Sequence, residues 1–181
     1  MTDESWQGNK VFLRRAEQGD ADLVAKWKSD PLVRRMALDA DTVVSAIKEE
    51  KDILRSLESG DQIYRIVVVR ETGQPIGYVR ANWMDRSKRL AWLRYALGEE
   101  RGKGYARDAL KHFLQGLFPE NAHRVEAEAY EFNEAGIGLL ESLGFRREGL
   151  KREAHFDGER YRHVIVLGLL VGEWESLISV D

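Results

Sequence analysis

The fold is decided by residues 90–117, LAWLRYALGEERGKGYARDALKHFLQGL. Leu90 to Leu97 has the length and apolar content of a strand, and Gly98 to Gly104 is a short polar loop that carries three glycines. After this loop, apolar residues recur at helical spacing, at Leu110, Phe113, Leu114 and Leu117. The stretch therefore predicts a strand, a glycine-bearing loop and a helix.

The segment after this helix completes a parallel unit. Arg124 to Tyr130 alternates between polar and apolar residues, so we expect a second strand, joined to the first by a right-handed crossover. Two antiparallel hairpins accompany the unit: Ile63 to Arg70 with Pro75 to Trp83, and Arg146 to Phe156 with Arg160 to Leu169. The sequence thus predicts the α/β (α+β) class, with a mixed, mostly antiparallel twisted sheet, flanking helices and one central parallel βαβ unit.

The remaining elements fit a single domain over residues 1–181. A strand over Val11 to Arg15 precedes a helix from Asp20 to Lys28, which the segment beginning at Asp30 ends. A second helix begins near Asp41, carries apolar residues at helical spacing and ends at Gly60. No internal repeat, linker or shift of composition marks a second domain.

The composition excludes several classes of function. The 181 residues include 43% apolar and 33% charged residues, no cysteine, and a formal net charge of −3. Without cysteine there is no thiol nucleophile, thiolate metal ligand or disulfide, and the balanced charge disfavours nucleic acid as a partner. No apolar run approaches the roughly 20 residues that span a bilayer, and the start of the chain lacks a signal-peptide pattern. We expect a cytoplasmic protein with no membrane and no nucleic-acid partner.

The loop from Arg101 to Ala106 suits an anion. Glycine lets the backbone turn sharply, and free N–H groups at the start of a helix direct their dipoles at one point, as a pyrophosphate requires. A helix-capping turn is the alternative explanation of a lone Gly-x-Gly. Two nucleotide motifs do not fit, because Tyr105 follows Gly104 where a P-loop has lysine, and Arg107 stands where a dinucleotide fold needs glycine or alanine.

Two motifs in register resemble one enzyme family. Arg101 to Ala106 is similar to the Arg/Gln-x-x-Gly-x-Gly/Ala signature of the GCN5-related N-acetyltransferases. Asn133 to Ala135, with Leu139 to Gly149, resembles the following helix and strand of that family. The resemblance covers about residues 10 to 175. It is greatest for the branch that acetylates ribosomal-protein N-termini, which also contains enzymes that act on small amines and amino sugars.

The resemblance implies the family's fold and acetyl-coenzyme A as the cofactor. In that fold the strand over 90–97 splays from the strand over 124–130 to admit the pantetheine arm. The glycine loop binds the pyrophosphate, and strand amides hold the thioester and polarise its carbonyl. The implied cofactor-binding residues are Tyr95, Ala96, Leu97, Arg101, Gly102, Lys103, Gly104, Tyr105, Ala106 and Asn133.

The implied reaction is direct transfer of an acetyl group to a primary amine in a ternary complex, the acceptor being a protein N-terminus or a small molecule. A base must take a proton from the amine. Three groups that relatives use are replaced here: a helix tyrosine by Leu140, a helix serine by Gly136 and a strand glutamate by Trp92. These departures keep an alternative function open, a coenzyme A binding protein with little or no transferase activity.

The catalytic candidates are Glu126 and Asn133. Glu126 shares a strand face with Glu128 and Tyr130 by alternation, so this face either lines a cleft or meets water. Among these residues we prefer Glu126 as the proton acceptor. Asn133 suits a helix N-cap and, by the resemblance, a contact with the pantetheine or the sulfur.

The acceptor-binding candidates are Trp27, Arg34 and Arg35, since the first helix and the segment after it wall the acceptor pocket in the family. The two arginines favour an anionic or polar acceptor, and a core position is the alternative for Trp27. The four histidines lack the spacing of metal ligands, so no metal is expected. The apolar run from Val164 to Val171 suits either a homodimer interface or an internal strand.

Overall fold

Within residues 6–38 and 44–179, which the computed structural model describes, seven strands form one mixed sheet. The strands are β1 (Val11–Arg15), β2 (Gln62–Val69), β3 (Pro75–Trp83), β4 (Leu90–Leu97), β5 (Arg124–Tyr130), β6 (Arg146–Phe156) and β7 (Tyr161–Leu170). The helices are α1 (Ala21–Ser29), α2 (Pro31–Met36), α3 (Ala46–Glu58), α4 (Tyr105–Leu117), α5 (Glu134–Ser142) and α6 (Val171–Ile178).

The strands lie in the order β1-β2-β3-β4-β5-β7-β6. β4 and β5 pair in parallel, and the other neighbours pair antiparallel. The predicted fold class is confirmed, and β4 and β5 have the bounds that the hydrophobic pattern indicates. The parallel unit lies at the centre of the sheet, with the glycine loop at the carboxyl end of β4.

Two helices differ from the expectation. The Asp30-Pro31 segment does not merely end α1 but begins α2: Asp30 Oδ1 accepts hydrogen bonds from Leu32 N at 3.0 Å and Val33 N at 3.1 Å. Aspartate as the N-cap and proline at the first helical position are strong start signals. α3 begins at Ala46, with Ser45 as its N-cap; Asp41, where we expected its start, lies outside the described residues.

The parallel pair is short, and this creates an opening in the sheet. β4 and β5 pair only through Leu90 with Arg124, Ala91 with Val125, and Trp92 with Glu126. β3 continues to pair with β4 as far as Leu97. The two central strands therefore stop pairing after their first residues, and an opening extends between them toward the glycine loop.

Separate apolar cores cover the two faces of the sheet. On one face, α4 packs through Leu110 and Phe113, which are both fully buried. On the other face, α1 and α3 pack through Trp27 and Ile53. The opening between β4 and β5 thus joins two faces that the rest of the sheet keeps apart.

β7 lies between β5 and β6. The apolar run from Val164 to Val171 therefore belongs to an internal strand and the first residue of α6. The homodimer and the cytoplasmic location stay predictions. In the part of the chain that the structure describes, no helix is long and apolar enough to cross a membrane.

One exposed helical glycine offers a test of α5. A Cβ added at Gly138 meets no described atom within 4 Å. Because alanine is about 0.5–1 kcal/mol more favourable than glycine inside a helix, we expect Gly138→Ala to raise the free energy of unfolding by that amount. Urea unfolding followed by circular dichroism measures the change. At Gly136 the added Cβ would lie 2.7 Å from Asn133 Nδ2, so Gly136→Ala disturbs the cap and is not expected to stabilise.

Candidate active site

The glycine loop turns at two left-handed glycines, and Glu100 before them is also left-handed, with a φ of +55°. Gly102 has a φ of +80° and Gly104 a φ of +79°, a conformation that glycine adopts without strain and other residues rarely adopt. Gly104 is the N-cap of α4, so the loop presents the free N–H groups of the first helical turn, which begins with Tyr105 and Ala106. These N–H groups and the helix dipole favour an anion at this point.

The basic loop residues also have partners within the protein. Arg101 Nε donates to Leu97 O at 2.9 Å, and Arg101 Nη2 donates to Asp30 Oδ1 at 2.9 Å. Lys103 Nζ bonds the Glu100 carboxylate. Arg101 therefore links the end of β4 to the start of α2. A ligand that contacts the Arg101 guanidinium shares this group with the two bonds.

Tyr95, Ala96 and Leu97 lie at the open end of β4 and are half-buried. The described part of β5 gives β4 no ladder partner from Leu93 onward. Backbone groups that face the opening can therefore bond a ligand. Burial raises the pKa of Tyr95 to about 12, so its hydroxyl stays neutral near pH 7.

Asn133 is the N-cap of α5. Its Oδ1 accepts the Gly136 N–H at 3.0 Å, and its own N–H donates to Tyr130 O at 2.9 Å. The capping function that the sequence indicates is thus present in the structure. Asn133 also follows β5 closely in the chain, at the edge of the opening.

Glu126 stands where the two central strands separate. It pairs with Trp92 in the last parallel pair, and residues paired in this way present their side chains on the same face of a sheet. Glu126 therefore places a carboxylate at the level of Trp92, one strand over. Arg124 Nη2 lies 3.2 Å from Glu126 Oε2 and also bonds Glu148, so the carboxylate is held at the closed end of the opening.

Other acidic residues near the opening have structural partners. Glu128 bonds Lys151. Glu99 accepts hydrogen bonds from Lys26 Nζ at 3.0 Å and Gln74 Nε2 at 2.7 Å, and the bond from Lys26 contributes most to lowering the pKa of the Glu99 carboxyl. Among the described residues, no group of three or more histidine, aspartate or glutamate side chains is arranged to hold a metal ion.

The α2 segment contacts residues that follow each of the two central strands. At its start, Asp30 bonds Arg101, which follows β4. Near its end, Arg35 Cζ lies 5.9 Å from the ring centroid of Phe132, which follows β5. This segment follows α1, which packs on the face of the sheet opposite to α4, and on it Arg34 is half-buried and Arg35 is exposed.

Trp27 lies beneath this segment. It is only 1% exposed, and it packs against Gly98, where an added Cβ would lie 1.9 Å from Trp27 Cδ1. This placement favours the core position for Trp27 over a direct contact with an acceptor. Trp27 thus packs against the residue that directly follows β4.

One residue at the loop was not anticipated from the sequence. Lys10 Nζ donates to Lys103 O at 3.0 Å, and a Cβ added at Gly104 would lie 3.1 Å from Lys10 Nζ. Lys10 directly precedes β1 and is far from the loop in the chain. No local pattern marks it, because only the tertiary fold brings the start of β1 against α4.

The chain belongs to the GNAT acetyltransferase family. The family model described as acetyltransferase (GNAT) domain matches residues 10–146, which confirms the resemblance and places the protein among the acyltransferases. The N-acetyltransferase p20 of Bacillus licheniformis is 31% identical over 175 residues, covering 94% of this chain and 98% of the relative. The SPbeta prophage-derived N-acetyltransferase YokL of Bacillus subtilis (strain 168) is 27% identical over 173 residues, covering 94% and 95%.

Solved structures share the fold over most of the chain. The spermidine N-acetyltransferase from Vibrio cholerae, in complex with CoA and spermine, has a TM-score of 0.83 at 21% identity and covers 92% of this chain and 98% of its own. RimL, a ribosomal L7/L12 alpha-N-protein acetyltransferase in complex with coenzyme A, has a TM-score of 0.80 at 15% identity, covering 91% and 96%. At such identities the likeness shows the fold alone.

Proposed function

We propose that this protein is an acetyl-coenzyme A dependent N-acetyltransferase that moves an acetyl group to a primary amine by direct transfer in a ternary complex. The observation that carries the proposal is the opening between β4 and β5, which extends from their last pair to the left-handed glycine loop. An opening between two strands with an anion site at its end suits a long cofactor with a pyrophosphate. Membership of the GNAT family supports the same reaction class.

The residues around the opening fit acetyl-coenzyme A. The first turn of α4 offers N–H groups to the pyrophosphate, and no described atom lies within 4 Å of a Cβ added at Gly102, so the loop is open to a ligand. The extended pantetheine arm suits the space between two strands with unused backbone groups. When bound, the cofactor supplies the acetyl group as a thioester.

The chain itself binds and orients the reactants. Backbone groups of Tyr95, Ala96 and Leu97 hold and polarise the thioester carbonyl, since preorganised dipoles stabilise the charge that develops there. Asn133, while it caps α5, would contact the pantetheine or the sulfur. Glu126 accepts the proton of the attacking amine, directly or through a water molecule.

The acceptor enters on the side of α1 and α2, opposite to α4. Arg34 and Arg35 lie on α2 and favour an acceptor with polar or anionic groups near its amine. Among the structural neighbours, one was solved with spermine and another is a ribosomal protein acetyltransferase. A primary amine is common to both acceptors, and we propose this class, either a small molecule or a protein N-terminus.

Release of free thiol from acetyl-coenzyme A tests the proposal. Purified protein is incubated with a panel of amines that includes polyamines, amino sugars, amino acids and a peptide with a free N-terminus. The chain has no cysteine, so it adds no thiol background. Amine-dependent release establishes transfer. Calorimetric binding of coenzyme A without release for any amine supports the alternative, a coenzyme A binding protein, and no binding contradicts the cofactor assignment.

Replacing Glu126 by glutamine is expected to lower kcat by about 100-fold, the range in which one acid–base group contributes. The amide keeps the size of the side chain but removes its basicity, so the KM for acetyl-coenzyme A should stay near that of the wild type. Steady-state kinetics with the best amine of the panel measures both constants. Glu128→Gln is the matched control, because Glu128 lies on the same face of β5 and bonds Lys151. Equal rates for wild type and Glu126→Gln would assign the proton to another group.

A further inference from the structure

A basic pocket adjoins the glycine loop on the side of β1 and the β2–β3 turn. Three of its lining side chains are cationic, Lys10, Arg70 and Lys103, and one, Glu71, is acidic. Tyr105, the first residue of α4, also lines it. The pocket is therefore continuous with the helix start at which we place the cofactor pyrophosphate.

Lys10 places its ammonium group against the loop, although it lies far from the loop in the chain. Its Nζ donates to Lys103 O at 3.0 Å and would lie 3.1 Å from a Cβ at Gly104. An ammonium group has three donors, so two remain for a ligand beside this carbonyl. Lys103 bonds Glu100, whereas Lys10, within the described part of the chain, bonds a neutral carbonyl.

Asp108 fixes the backbone on both sides of Lys10. It lies in the first turn of α4, and its carboxylate accepts the N–H groups of Lys10 at 2.8 Å, Val11 at 3.0 Å and Asn9 at 3.3 Å. A Cβ added at Gly8 would lie 2.3 Å from Asp108 Oδ2, so the close approach of the segment depends on glycine. Asp108 thus holds the base of the lysine side chain at a fixed point on α4.

The segment before Lys10 is anchored as well. Trp6 is 6% exposed, and its ring centroid lies 5.4 Å from that of Phe113 on α4. Arg65 Cζ lies 4.6 Å from the Trp6 ring centroid on the other side of the contact. Residues 6–10 therefore run along α4 toward the glycine loop, attached at both ends.

We propose that Lys10 binds a phosphate group of coenzyme A and that Asp108 is its positioning residue. A lysine serves as a point charge for phosphate. Lys10 lies outside the family signature in the sequence, and the fold places it beside the anion site. The ligand phosphate is either the pyrophosphate or the 3′-phosphate. This inference rests on the proposed function, since it assigns a further residue to the same cofactor site.

Calorimetric titration with coenzyme A, 3′-dephospho-coenzyme A and pantetheine tests the proposal. Lys10→Gln is expected to weaken the binding of coenzyme A about tenfold, the usual effect of losing one charge-assisted hydrogen bond, and to leave pantetheine unchanged. Lys10→Arg should retain most of the affinity. Lys48→Gln, which removes the same charge from an exposed position on α3, is the control and should bind as the wild type does.

The two coenzyme A ligands distinguish the phosphates. If Lys10→Gln weakens the binding of both ligands equally, Lys10 contacts the pyrophosphate. If it weakens the binding of coenzyme A alone, Lys10 contacts the 3′-phosphate. Affinities of Lys10→Gln within twofold of the wild type for both ligands would overturn the proposal and leave the proposed function standing. A wild-type protein that binds no coenzyme A would contradict both.

The positioning by Asp108 has its own readout. Asp108→Asn is expected to weaken coenzyme A binding in the wild-type background and to have little effect in the Lys10→Gln background, because it acts through Lys10. Circular dichroism and the Tm show whether each variant is folded. The same loss of affinity in both backgrounds would mean that Asp108 supports α4 in general and does not position Lys10.

Discussion

Gly104→Trp is expected to abolish measurable binding of coenzyme A while the protein stays folded. Gly104 has a φ of +79° at the N-cap of α4, so tryptophan both strains the turn and places an indole where the anion binds. The loss of two charge-assisted hydrogen bonds of about 1.5–3 kcal/mol each corresponds to at least a 100-fold fall in affinity. Isothermal titration calorimetry measures the binding, and circular dichroism checks the fold.

Gly60→Trp is the matched control for this change. Gly60 also has a left-handed backbone, with a φ of +63°, and an added Cβ approaches only the end of the Lys88 side chain at 3.4 Å. It precedes β2, at the opposite end of the sheet from the glycine loop. Normal binding by Gly60→Trp would show that backbone strain alone does not remove the site. Normal binding by Gly104→Trp would contradict the assignment of the loop as the pyrophosphate site.

Gly98→Ala is expected to cost about 3 kcal/mol of stability, the upper end of the usual range for overpacking a core. The added Cβ would lie 1.9 Å from Cδ1 and 2.3 Å from Cγ of Trp27. Trp27 is 1% exposed, so its ring cannot move aside into solvent. For a chain of this size the loss corresponds to a fall in Tm of roughly 6–12 °C, which differential scanning calorimetry measures.

Two variants separate this clash from a general effect of alanine. Gly149→Ala is the control, because a Cβ added there meets no described atom within 4 Å. In a Trp27→Leu background the clash is relieved, so Gly98→Ala should cost much less than it does in the wild type. An equal cost in both backgrounds would mean that Trp27 does not pack against the end of β4 as the structure shows.

The parallel unit and its loop could be predicted because their signals are local. The hydrophobic period changes from that of a strand to that of a helix across Gly98 to Gly104, and the capping residue Asn133 stands directly before the helix that it caps. These signals depend only on neighbours in the chain. The structure preserves them at the predicted positions.

The features that escaped prediction depend on long-range contacts or on competing local signals. The sequence of α2 has an N-cap at Asp30 and a proline at its first position, but the same proline is also a reason to end a helix. Lys10 has no local signal at all, since Asp108 and Gly8 bring it to the loop through the tertiary fold. For Trp27 the sequence left a core position and an acceptor contact open, and the choice depends on Gly98, which only the folded sheet places beside it.

The short pairing of β4 with β5 makes their junction the weakest connection described in the sheet. β1 to β4 form one half of the sheet, and β5, β7 and β6 form the other. Three residue pairs at one end of β4 and β5 join the two halves. A molecule that fills the gap contacts both halves, so its binding energy stabilises their association. A cofactor bound in this gap, as proposed above, would complete the sheet as well as occupy a site on it.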